Sequence, residues 1–108
     1  MTDRKRVYIS GPISSMHPQR AAFNFDLGVK QVSLLGYAPV NPHCISGQPF
    51  EYNEFMKLDL MMLAMCDGIY MLDGWETSPG AIVEIELAEK MGKFVLYQKE
   101  EMEKPDAE

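Results

Sequence analysis

Four short apolar runs alternate with three longer stretches of helical periodicity in this chain, and that alternation leaves few ways to fold it. Arg6 to Ser10, Tyr37 to Val40, Gly68 to Leu72 and Phe94 to Tyr97 read as strands. Pro18 to about Leu35, Tyr52 to about Cys66 and Pro79 to about Met91 read as helices, with Gly36 and Gly92 as their stops. Strands separated by helices favour a parallel sheet with helices on its faces, since each parallel connection needs a crossover. Pro39 marks the second strand as an edge or a strand end, because proline removes a ladder donor. With 108 residues, 46% of them hydrophobic, the chain holds one domain with a core of its own. No internal repeat is visible.

Charge narrows the partners. A formal net charge of −6 argues against a nucleic-acid polymer, whose phosphates are held largely by Lys and Arg. A small anion needs only a few backbone donors at a helix start. The charged start, Met1 to Arg6, is followed by a strand-like run rather than a secretory apolar region, and no segment is long enough to span a membrane. A cytoplasmic protein is expected. Cys44 and Cys66 have neither metal-like nor redox-like spacing, so reduced thiols and no metal or other cofactor are expected. Residues 99–108 read as an acidic, disordered tail.

Two carboxylates stand where apolar residues belong. At about 100° per residue, Asp59 falls among Tyr52, Phe55, Met56, Leu63 and Cys66 on its helix. Glu84 falls among Ala81, Leu87, Ala88 and Met91, whereas Glu86 and Glu89 share the solvated face. An acid on an apolar stripe has to be paired, hydrogen-bonded or protonated. Structural roles compete with chemical ones here. Asp59 could cap a neighbouring segment, and Glu84 could be a first-turn acid favoured by the helix dipole. Two such acids near the ends of strand-helix units shift the balance towards a site.

The loops supply further candidates. Thr77 to Ala81 combines a cap residue, a first-turn proline and a glycine, either an anion cradle using Ser78 and Gly80 or an ordinary capped helix. Ser10, Gly11 and Ser14 lie in a second loop of this kind, without the spacing of a dinucleotide site. Asn41 to Phe50 is long enough to be functional, and His43 in it is a better substrate contact than His17. Trp75 reads equally as a cover for a planar ligand and as a loop anchor. Tyr8, inside the first strand, needs a partner for its hydroxyl, and a carboxylate is a natural one. Leu58, Met61 and Met65 make the Asp59 helix apolar on its other side too, which suits a subunit interface in a homodimer or higher homo-oligomer. Core filling explains the nine methionines equally well.

Read together, Tyr8-Ile9-Ser10-Gly11, Asp59, Asp67 and Ser78-Pro79-Gly80-Ala81-Ile82-Val83-Glu84 resemble the nucleoside 2-deoxyribosyltransferase superfamily. The look is closest to its small 2′-deoxynucleoside 5′-monophosphate N-glycosidases, and to short bacterial and phage proteins with the phrases YISGPI and GWExSxGA. The resemblance implies an α/β, Rossmann-like (flavodoxin-like) three-layer sandwich with a mostly parallel sheet of four to five strands, over residues 1–98. It implies Glu84 as nucleophile, Asp59 as the acid serving the leaving base, and Tyr8 as the hydroxyl orienting Glu84. Ser78 matches a phosphate-binding serine. Pro12 and Ser14 stand where that branch uses a serine and an arginine, which leaves Arg20 as the nearest cation. Ser10, Gly11, Asp67, Trp75 and Gly80 complete the expected substrate-binding set.

N-glycoside cleavage passes through an oxocarbenium-like state, so a carboxylate near the anomeric carbon stabilises charge and can trap the sugar, while a second acid protonates the base. The expected activity is N-glycosidase or deoxyribosyltransferase on nucleoside 5′-monophosphates or nucleosides. Its rival is a non-catalytic nucleotide-binding module with the same pocket.

Overall fold

In the computed structural model, which describes residues 4–104, strands and helices alternate in the expected order. Strand β1 (Arg6–Ser10) leads to helix α1 (Pro18–Leu34), β2 (Ala38–Val40), α2 (Tyr52–Ala64), β3 (Gly68–Met71), α3 (Pro79–Lys90), β4 (Phe94–Tyr97) and α4 (Gln98–Glu103). The expected boundaries hold to within two residues, the usual spread at frayed ends. Gly36 and Gly92 follow α1 and α3 at φ +93° and +71°, left-handed positions that favour glycine and end a helix.

All pairings in the four-stranded sheet are parallel, in the order β2-β1-β3-β4. β2, with Pro39, is indeed an edge. Side chains alternate between the two faces. Val7, Ile9, Tyr70 and Leu72 pack with Phe25 and Val32 of α1. Tyr8, Ile69 and Met71 pack with Leu63 of α2 and with Ala81, Ile85 and Ala88 of α3. The result is a three-layer sandwich of flavodoxin-like strand order. β1 connects outward to β2 on one side and pairs with β3 on the other, so the connections diverge above the carboxyl ends of β1 and β3 and leave a crevice there.

One expectation needs correcting. The segment after Gln98 does not fray at once but continues as α4 to Glu103, because Gln98 is buried and bonded on both sides of its amide. Its Oε1 accepts from the Asp73 N–H at 2.8 Å, and its Nε2 donates to Gln31 Oε1 at 2.8 Å, which also accepts from the Tyr70 hydroxyl. Residues 105–108 of the expected tail lie outside the described residues. Cys44 and Cys66 are free thiols. Among the described residues no helix is long and apolar enough to cross a membrane.

Candidate active site

Glu84 lies in the second turn of α3, on the face that meets the sheet, and is only 5% exposed. Its partners come from β1. Tyr8 and Ser10 are alternate residues of that strand and so project to the same face. The Tyr8 hydroxyl donates to Glu84 Oε2 at 2.8 Å and the Ser10 hydroxyl donates to Oε1 at 2.6 Å. Both carboxylate oxygens thus have a donor in a nearly buried position, which offsets part of the cost of a charge there.

Burial pushes the Glu84 carboxyl up to about 7, the Ser10 and Tyr8 hydroxyls pull it back, and the charge of Asp59 pushes it up again. Burial also raises Asp59, to about 6. Tyr8 is driven far above the ordinary tyrosine range by burial and then by the charges of Glu84 and Asp59, so it remains a donor. The Asp59 charge thus adds to burial in disfavouring the charged form of Glu84, whereas Asp59 itself is raised by burial alone.

A cavity of about 660 Å³ opens above this pair at the carboxyl ends of the strands. Gly11, Ile13 and Ser14 line it after β1, and His43, Ile45 and Ser46 after β2. Tyr52, Phe55, Met56 and Asp59 form the α2 wall, and Ser78, Gly80, Ala81 and Glu84 the α3 wall. Ser78 caps α3, its Oγ accepting from the Ala81 N–H at 3.3 Å. Pro79 has no N–H, so the cradle offers the Gly80 N–H and the Ser78 hydroxyl rather than a row of free donors. Among the described residues no group of three or more His, Cys, Asp and Glu is placed to hold a metal ion.

Of the expected catalytic and substrate-binding set, Asp59, Glu84, Gly11, Ser14, Ser78 and Gly80 reach this cavity, as does His43, with Tyr8 and Ser10 beneath Glu84. Three do not. Asp67 precedes β3, at the amino end of the sheet, where its Oδ2 accepts from the Arg6 N–H at 2.9 Å. Arg20 is exposed on α1, beside a separate surface depression shared with His17, Gln19 and Phe23. Trp75 packs against the core and the Tyr97 ring, 6.1 Å between centroids, and so serves as a loop anchor. The residues missed were the apolar wall. Tyr52, Phe55 and Met56 share the apolar stripe of Asp59, and periodicity does not distinguish a stripe facing a core from one facing a cavity.

A comparable arrangement of strands and helices occurs in the solved structure of a 2-desoxiribosyltransferase from Leishmania mexicana, with a TM-score of 0.67 and 21% sequence identity. The match covers 86% of this chain and 63% of that one, and at this identity the likeness is one of fold. No curated protein matches the sequence. Residues 5–97 match the family described as a domain of unknown function, DUF4406, a span that contains all four strands and every wall of the cavity. The chain belongs to the DUF4406 family, and its fold is like that of the Leishmania mexicana 2-desoxiribosyltransferase.

Proposed function

We propose that this protein breaks the N-glycosidic bond of nucleosides or (deoxy)nucleoside 5′-monophosphates, with Glu84 as nucleophile. The observation that carries the reading is the buried Glu84 carboxylate, gripped on both oxygens by Tyr8 and Ser10 and facing a cavity that also holds Asp59. Glu84 attacks the anomeric carbon as the base departs, and Asp59 delivers a proton to the leaving nitrogen. The glycosyl ester on Glu84 is then released to water, giving the free sugar, or to a second base, giving a new nucleoside. Transfer is the activity in the name of the Leishmania mexicana protein. Tyr52, Phe55 and Met56 supply the apolar wall that a base would stack against. The assembly proposed is a homodimer formed through the outer side of α2.

The lining favours the nucleoside over the monophosphate. Among the described residues no Lys or Arg lines the cavity and two acids do, and the Ala81 N–H is already taken by the cap. At the start of α3 a dianionic phosphate would find the Ser78 hydroxyl and the Gly80 N–H, with no cationic side chain of Lys or Arg beside them. Incubation with matched nucleosides and 5′-monophosphates, with released base followed by chromatography, tests both points. Release from nucleosides at least as fast as from monophosphates is expected, whereas release from monophosphates alone would return the α3 start to phosphate binding. A second reading, a module that holds a ligand without turnover, draws on the carboxyl of Glu84 titrating near 7, which leaves much of it uncharged at neutral pH. Tight binding of one compound with no base released from any would establish that reading instead.

A further inference from the structure

We infer that Ser10 is a positioning residue for Glu84, holding the carboxylate plane and keeping the group ionised, rather than a contact for the substrate. The inference rests on Glu84 being the reacting group, but its geometry stands apart from turnover. One hydroxyl alone would leave a carboxylate free to turn about its last bond. Here two hydroxyls two residues apart on one strand hold opposite oxygens, Tyr8 at Oε2 and Ser10 at Oε1. That grip orients the plane of Glu84 relative to the cavity.

The placement of Ser10 leaves its hydroxyl little else to do. The residue is 1% exposed, so water does not substitute for it, and it does not line the cavity. Its backbone is held as well, since its carbonyl accepts from the Leu72 N–H at 2.8 Å. The following residue, Gly11, lies so close to β3 that an added Cβ would stand 2.8 Å from Leu72 Cβ. Strand pairing and this close approach therefore aim the Ser10 side chain before any ligand arrives. The bond is the shorter of the two to Glu84, as expected for a hydroxyl donating to a buried anion. The other ionisable groups around Glu84 are Tyr8 on β1 and, along the cavity, Asp59 and Tyr52 on α2 and His43 after β2; among the described residues only Tyr8 and Ser10 donate to it. Loss of the Ser10 hydroxyl would strip a buried oxygen of its donor and disfavour the charged form.

The test follows the Glu84 carboxyl carbon by NMR titration of the ligand-free protein, in the wild type, Ser10→Ala and Ser10→Thr. Ser10→Ala should raise the Glu84 midpoint by about one pH unit, so that roughly tenfold less carboxylate is present at a given pH below it. Ser10→Thr, which keeps the hydroxyl, should titrate like the wild type. The alkaline shift should reappear in the acidic limb of kcat/KM for base release, with KM little changed. An unmoved midpoint in Ser10→Ala, or an equal shift in Ser10→Thr, overturns the inference. Should Ser10→Ala not fold, Ser10→Cys, of similar size and a weak donor, is read by the same criterion. A shifted midpoint in a protein that releases no base would leave the role of Ser10 intact and count against the glycosidase reading alone.

Discussion

Glu84 links the chemistry of the site to the stability of the protein. A glutamate that titrates near 4.5 when exposed titrates near 7 here, so between those values the native state keeps a proton that the unfolded chain has lost. The contribution of this group to stability is therefore full below about 4.5 and declines as pH rises towards 7. Beyond that it is flat. Glu84→Gln should remove this contribution to the slope, being more stable than the wild type at pH 8 by roughly 3 kcal/mol and little different at pH 4.5. Urea unfolding of both proteins at the two pH values checks it. The same variant should lose at least about a hundredfold in kcat, because the nucleophilic charge goes while the shape stays. Asp59→Asn should slow base departure, most for poor leaving bases. An equal loss with activated leaving groups would show that Asp59 positions substrate instead of protonating it.

At the scale of elements, β1 and α4 brace the site from below and from the side. The alternation of β1 presents Tyr8 and Ser10 to α3 while Val7 and Ile9 face α1, so one five-residue strand serves both the core and the site. α4 holds the loop that leads into α3. Gln98 accepts from the Asp73 N–H and donates to Gln31, and with Ala there both groups would lose a partner in a partly buried setting. Gln98→Ala should cost about 1 to 3 kcal/mol in denaturant unfolding. Faster hydrogen exchange at the Asp73 amide should accompany it. Unchanged stability and exchange would mean that α4 is merely attached.

At the scale of the whole molecule, the outer side of α2 bears on assembly. Met61 and Met65 are 63% and 58% exposed there, beside the half-buried Leu58. A dimer through this side is expected in sedimentation at micromolar concentration, and Met61→Lys with Met65→Lys should sediment as a monomer. A wild type that is monomeric under those conditions refutes the assembly.

The four strands and the helices α1 to α3 are legible in the sequence, because periods of two and 3.6 residues are properties of the local backbone, whereas α4 is anchored by the distant partners of Gln98 and is not. So was the peculiarity of Asp59 and Glu84, since an acid on an apolar stripe is visible from its neighbours alone. Which residues meet is a different matter. Ser10 and Glu84 are 74 positions apart, and their bond exists only because β1 lies beside β3 and under α3. Asp67, Arg20 and Trp75 looked as suitable as the residues that do reach the cavity. Asp67 is at the amino end of the sheet, Arg20 on the outer side of α1, and Trp75 is turned onto Tyr97. Local periodicity assigns a side chain to a face, whereas strand order and strand direction decide which faces and which ends come together, and those depend on contacts distributed over the whole chain.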